Sequence, residues 1–282
     1  MTDPIPAREV PAGEVPAGDG RAQAAPNMRS VERVAAVLTG FTQARPVLTL
    51  AEVAAVSGLD KNTARRLLIA LARTGFVRRD EAEGTYCLDM GVMRLQPAVP
   101  GPRILREMAA PCLSWLTFET GMTSFFWLPD PDGAVCVERV WAAGIYLDVN
   151  GSMPGTVLPL NMASGPRVIL AYVDEPTRQD WLARPQPANT QLSQTDPAGL
   201  LRAARRIREQ GYELIANDFI VGLTGLGAPI FDRQGGFVGA VSVTSRSADF
   251  DGPGALARLL AAVRKTASDI GIGLGAGQSG QI

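Results

Sequence analysis

Apolar residues first recur with a helical period at Val31, Val34, Leu38 and Phe41, and Ser30 stands where an N-cap would. Thr49-Leu50-Ala51-Glu52 has the spacing of a capping box and opens a short helix with Leu50 and Val53 inward, ended by Gly58. Asp60 then caps a third helix whose inward stripe is Ala64, Leu67, Leu68 and Leu71, and Gly75 fits the position just past its end. Phe76–Arg79 and Thr85–Leu88 read as two strands around a turn at Asp80–Gly84. Three short helices followed by a hairpin predict a winged helix-turn-helix, with the helix opened by Asp60 placed to enter a major groove.

The pattern then changes. Pro97, Pro100 and Pro102 predict a linker, followed by a helix from about Arg103 to Thr120 carrying Ile104, Leu105, Met108, Leu113 and Leu116. Pro111 within it predicts a kink or a split. Thr123–Leu128, Ala134–Val140 and Ile145–Val149 read as strands, the first two joined by a turn at Pro129–Gly133. Ser164 is placed to cap a helix through Tyr172. Asp196-Pro197 opens a helix with Leu200, Leu201, Ala204 and Ile207 inward, closed by Gly211. Gly225–Phe231 and Phe237–Thr244 form a hairpin, and a last helix spans about Gly254–Ile270. The fold class is therefore α+β: an N-terminal winged helix-turn-helix and a mainly antiparallel sheet flanked by helices. The expected division begins with a disordered Pro/Ala/Gly-rich tail over 1–27 and a DNA-binding domain over 28–90. It continues with a linker over 91–105, an effector-binding and oligomerisation domain over 106–272 and a flexible tail over 273–282.

Charge sharpens this picture. The 282-residue chain has a net charge of -1, yet Arg29–Arg79 holds nine basic against three acidic residues, a net of +6. The remainder then carries -7, and one basic domain on an acidic body is the electrostatic footprint of DNA binding. Lys61, Asn62, Thr63, Arg65 and Arg66 form the polar face of the third helix; Arg reads guanine well and Asn reads adenine. Arg78 and Arg79 on the first hairpin strand are candidates for phosphate or minor-groove contact. The competing reading is a solvated helix face.

The chain has no histidine, which excludes Ser-His-Asp and Cys-His catalysis and every His-bearing metal site. Cys87, Cys112 and Cys136 lack CxxC spacing and read as small apolar residues. Gly222-x-x-Gly225-x-Gly227 leads into a strand and so lacks the context of a dinucleotide loop. No metal, cofactor or enzymatic activity is expected. There is no signal pattern or membrane-length apolar run, so a cytoplasmic protein with no membrane partner is expected.

The stretch SVERVAAVLTGFTQARPVLTLAEVAAVSGLDKNTARRLLIALARTGFVRRD resembles the N-terminal domain of IclR-type bacterial transcription regulators. LPLNMASGPRVILAY and GYELIANDFIVGLTGLGAPIFDRQGGFVGAVSVTSRS resemble two stretches of that family's second domain, in the same order. The resemblance implies a linker helix used in dimerisation and an effector domain built like a GAF domain. It also implies a homodimer or homotetramer on double-stranded operator DNA of catabolic or antibiotic-related genes. It places an effector site at Phe126, Met162, Ala163, Ser164, Leu223, Gly225, Ser242 and Thr244. Ser242 and Thr244 share one strand face, the helix N-terminus at Met162–Ser164 offers N–H groups to a carboxylate, and Phe126 offers an aromatic wall. The chain departs from the family at Asn161, where His is common, and at Ile215, where an acidic ligand anchor is expected. A small, largely apolar or aromatic effector with one carboxylate or amide is the expectation. Two other readings stay open at this point: a second domain that only oligomerises, and an enzyme with an appended DNA-binding domain.

Overall fold

The computed structural model describes residues 28–42, 45–95, 100–142 and 153–276. The expected tail over 1–27 and the expected strand Ile145–Val149 lie outside them. The chain divides into two compact units, one holding the first helix and Val47–Leu88, the other running from Asp89.

The first unit holds α1 (Met28–Thr39), β1 (Val47–Thr49), α2 (Leu50–Ser57), α3 (Lys61–Arg73), β2 (Val77–Asp80) and β3 (Thr85–Leu88). The capping box forms: Thr49 Oγ1 accepts the Glu52 N–H, and the Glu52 carboxylate accepts the Thr49 N–H at 2.7 Å. Gly58 closes α2 in the left-handed region at φ 66°. Val37, Val53, Ala64, Leu68 and Val77 are all at most 1% exposed and form the centre of this core. Two expectations fail at α1. The helix begins at Met28, so Ser30 lies inside it and is no cap, and Val31 is 71% exposed. The inward stripe runs through Val34, Val37, Leu38 and Phe41, gaining Val37 and losing Val31. The sheet also gains a strand: β1 pairs with β3 on the side away from β2, giving the order β1-β3-β2. Its three residues are too few to show an alternating pattern.

The second unit starts with α4 (Met90–Met93) and α5 (Pro100–Thr120), inside the stretch read as linker. Asp89 accepts the Met90 N–H and so caps α4. α5 begins at Pro100 and runs unsplit through Pro111, which lies on its exposed side, where a missing N–H leaves no buried partner. Then come β4 (Thr123–Asp130), β5 (Gly133–Val140), β6 (Val157–Leu158), α6 (Ser164–Tyr172), α7 (Glu175–Leu182) and α8 (Pro197–Gln210). β7 (Glu213–Ala216), β8 (Leu223–Phe231), β9 (Phe237–Arg246) and α9 (Ala255–Ala276) complete it. The six strands form one antiparallel sheet in the order β6-β5-β4-β9-β8-β7. α6, α7 and α8 cover the face carrying Phe125, Trp127 and Ala240. α5 and α9 cover the face carrying Phe126, Leu226, Ile230 and Val241.

α9 continues through Gly271 to Ala276, past the start of the flexible tail expected from 273. A Cβ on Gly271 would stand 2.0 Å from the Phe231 carbonyl oxygen, so the glycine lets the helix lie against β8. The part of the expected flexible tail from Gly277 onward lies outside the described residues. Cys136 is buried, and burial pushes its thiol up to about 12, whereas Cys87 and Cys112 are half-buried rather than fully inside. Among the described residues no helix is long and apolar enough to cross a membrane.

Candidate functional site

On the first unit, Lys61, Asn62, Arg65 and Arg66 are exposed along α3, opposite the buried Ala64, Leu68 and Leu71. The Asp60 carboxylate accepts the N–H groups of Asn62 and Thr63, each at 3.0 Å. The Thr63 hydroxyl also bonds it and, with those N–H groups, holds the Asp60 carboxyl below the usual carboxylate range. Asp60 is therefore ionised near neutrality, and two N–H groups of this helix end are taken. Thr63 is half-buried with its hydroxyl turned to Asp60, which sets it apart from the other four. Arg78 and Arg79 are both exposed but project from opposite faces of β2. Arg79 lies over the Tyr86 ring and pairs with Glu81 at 3.0 Å. The wing tip is acidic: counted from Arg29 through Leu88, nine basic residues face six acidic ones, a net of +3. α3 holds four of the nine basic residues and no acidic one, so the net positive charge of the domain sits on it.

In the second unit a cavity of about 30 Å³, the room of one water, sits between the head of α6 and the sheet. Its walls are Phe125, Trp127, Ala163, Ser164, Asp218, Phe219, Ile220, Leu223, Thr224, Gly225, Ser242 and Thr244. Six of the eight expected residues are among them. Phe126 is not, because successive residues of β4 face opposite sides of the sheet: Phe126 packs with α5 and α9, and Phe125 and Trp127 face the cavity. Met162 is 1% exposed and lies outside the lining. Trp127 donates its indole N–H to Ser242 Oγ at 3.0 Å. Gly225 and Gly227 let α6 approach β8: a Cβ on Gly225 would lie 2.7 Å from Ser164 Oγ, and one on Gly227 3.0 Å from the Ser164 carbonyl carbon. That is the use of the glycine run that leads into this strand.

The N-terminus of α6 departs most from expectation. Ala163, not Ser164, is its N-cap, with φ 55° and ψ 160°, a region visited almost only by glycine and costing about 1–3 kcal/mol. Its N–H donates to Asp218 Oδ2 at 2.8 Å. The helix end expected to offer this N–H to a ligand carboxylate already gives it to the protein's own. Burial pushes the Asp218 carboxyl up, while the Ala163 N–H and the charge of Arg167 draw it back down. An acidic residue does stand near Ile215, three residues on, at Asp218. Ile215 pairs with Gly225 in the β7–β8 ladder, and Asp218 stands in the turn beyond that ladder. An acidic residue just past a strand was the available signal.

Behind the cavity, Arg167 of α6 stands 3.0 Å from the fully buried Glu213, though not aligned as a hydrogen bond, and Arg206 of α8 binds the other carboxylate oxygen at 2.6 Å. Asn161 is fully buried and donates to the carbonyls of Pro187 and Gln194 at 2.8 and 3.0 Å, tying down the segment before α8. It takes no part in the cavity lining. Among the described residues no three His, Cys, Asp or Glu side chains gather as a metal site would need.

A winged helix-turn-helix with a cationic α3, joined to a sheet domain holding a small polar-and-aromatic cavity, defines a transcription regulator that senses a small molecule. The sequence comparisons carry this to the family. The profile described as "Bacterial transcriptional regulator IclR C-terminal" matches residues 102–272, and that of the IclR helix-turn-helix domain matches residues 30–81. The chain belongs to the IclR family, and it is a ligand-responsive, DNA-binding transcription regulator. It is 29% identical to the glycerol operon regulatory protein of Streptomyces coelicolor over 255 residues, 90% of this chain and 99% of that one. It is 28% identical to the pca operon regulatory protein of Acinetobacter baylyi over 214 residues, 74% of this chain and 76% of that one. The crystal structure of an IclR homologue from Microbacterium hydrocarbonoxydans, complexed with 4-hydroxybenzoate, shares the fold at 21% identity. Its TM-score is 0.73, covering 87% of this chain and 99% of that one.

Proposed function

We propose that the chain controls a catabolic operon in response to a small aromatic molecule that carries a hydroxyl. The observation behind this reading is Asp218: a buried acceptor at the head of α6, in a cavity walled by Phe125, Trp127 and Phe219. A hydroxyl donor suits this carboxylate, whereas a small bare acid meets a like charge there. Ser164, Ser242 and Thr244 are the remaining polar groups that orient the ring, the usual recipe for a largely apolar pocket. The bound 4-hydroxybenzoate of the Microbacterium protein and the operon named for the Acinetobacter relative point the same way. A ring exceeds 30 Å³, so the wall from Asn217 to Gly222 must yield on binding. That wall is pinned by Thr190 and Ser193, which donate to the Asn217 and Asp218 carbonyls at 2.7 and 2.5 Å. Ligand binding thereby selects a state of this segment, which is what a response requires.

Calorimetry with 4-hydroxybenzoate, benzoate, glyoxylate and pyruvate tests the effector class. The hydroxylated ring is expected to bind, and the two small acids are not. Tight binding of glyoxylate or pyruvate with no aromatic response would overturn it. Gly225→Ala is expected to lower aromatic affinity roughly tenfold or more by pressing on Ser164, while ligand-free operator binding persists.

The same reading makes the winged unit the DNA-binding domain and the sheet unit the sensing and oligomerisation domain, without catalytic activity, in the cytoplasm where the operator is. A single winged domain covers little DNA, so a homodimer or homotetramer on a pseudo-palindromic site is expected. Light scattering beside operator titration checks this; a monomer with full affinity would rule it out.

A further inference from the structure

The first cavity touches the start of α6 at Ser164 and the start of β8 at Leu223–Gly225. A second concavity touches the opposite ends of the same two elements, at Tyr172 and at Ala228, Pro229 and Phe231. Its volume is about 400 Å³, against roughly 300–1,000 Å³ for small-molecule sites in general. Tyr172 and Phe231 stand edge to face with centroids 5.3 Å apart, and Ile272 completes an apolar floor. Phe231 is 39% and Ile272 52% exposed within this lining, and Phe237 packs on Tyr172 at 5.4 Å between centroids.

Arg233 and Arg264 also line the groove, the Arg264 guanidinium lying 5.8 Å from the centroid of the Tyr212 ring. Arg233 donates Nε–H to the Ile272 carbonyl at 3.0 Å, and Arg264 donates from Nη2 to the Gln210 carbonyl at 2.7 Å. Each is positioned by a backbone oxygen, and neither has a carboxylate partner among the described residues. A guanidinium has five N–H groups, so donors remain on both. The acid of the lining, Asp232, is held in its own turn by the N–H groups of Gln234 and Gly236, both on Oδ1 at 2.8 Å. We propose that this groove is a second small-molecule site, taking a flat aromatic body against Tyr172 and Phe231 with one carboxylate between Arg233 and Arg264. It needs nothing from the first cavity, although both sites bear on α6 and β8.

The test uses the full chain, titrated by calorimetry with 1-naphthoate, with its neutral analogue 1-naphthalenemethanol, and with acetate as the acid without a ring. Naphthoate is expected to bind, with the neutral analogue and acetate each weaker by roughly tenfold or more. Arg233→Gln with Arg264→Gln is expected to weaken naphthoate by a similar factor, and Gly225→Ala to leave it unchanged. Arg233 lies exposed on a turn, so Arg233→Gln alone, with a several-fold loss, keeps the test alive if the double variant misfolds. Absence of naphthoate binding, or binding indifferent to both arginines, overturns the proposal. So does loss of binding in Gly225→Ala, which would assign the ligand to the first cavity and leave the effector reading standing. A change of oligomeric state in the arginine variants with naphthoate affinity intact would make the groove a subunit contact and equally overturn it.

Discussion

Arg65→Ala and Arg66→Ala are each expected to weaken operator binding by about 1–3 kcal/mol without unfolding the protein. Both side chains are exposed, neither has a carboxylate partner among the described residues, and the buried Leu68 and Leu71 that hold α3 in place are untouched. Their weight comes from the charge distribution. The winged unit carries only +3 from Arg29 to Leu88, because Asp80, Glu81 and Glu83 make the wing tip anionic. That tip is repelled by phosphate, so α3, with four basic residues and no acid, is expected to carry most of the attraction. Arg79→Ala should accordingly cost less, since Arg79 already spends its charge on Glu81. A residue that reads a base lowers affinity for the operator more than for random DNA, and one that holds phosphate lowers both and reduces the salt slope by about one. Mobility-shift titrations at fixed salt on fragments selected by the wild-type protein give the answer. Unchanged affinity in both variants would remove α3 from the interface.

Glu213→Ala is expected to destabilise the second unit by about 3–5 kcal/mol, the usual consequence of leaving a buried charge uncompensated. Glu213 is fully buried and Arg167 is 5% exposed. The carboxylate joins α6 to α8 through Arg167 and the half-exposed Arg206. Removing it takes the nearest counter-charge from the Arg167 cation, leaving only Asp218, next to the helix end that shapes the cavity, so effector affinity should fall along with stability. For a unit of this size the melting temperature should drop by roughly 10 °C. The paired change Glu213→Leu with Arg167→Met should recover much of the loss, because burying two apolar side chains costs no desolvation of charge. Thermal melts of the three proteins decide it. A single variant that melts with the wild type would mean that the pair contributes no net stability.

Much of the fold was legible in the sequence because its signals are local. A hydroxyl and an acid three residues apart, a glycine after a helical stripe, and an Asp-Pro before another each act within a single turn. The capping box at Thr49, the cap at Asp60 and the helix opened by Asp196 are there as read. The winged helix-turn-helix, the antiparallel sheet domain and the cationic face of α3 were determined at that level, while the family was reached through the resemblance of three longer stretches to its members. What the tertiary structure alone decided is which groups meet. Phe125 and Phe126 are equally aromatic neighbours, and only the covering helices determine which one faces the cavity and which the opposite core. Asp218 lies 55 residues from Ala163, and no local pattern reveals that its carboxylate takes that N–H. The glycines at 225 and 227 have the look of a failed phosphate loop, and only the packing of α6 against them gives their use. Caps and periodicity are satisfied by near neighbours in the chain, whereas a binding site is assembled from strands and helix ends whose approach depends on how the whole sheet is packed.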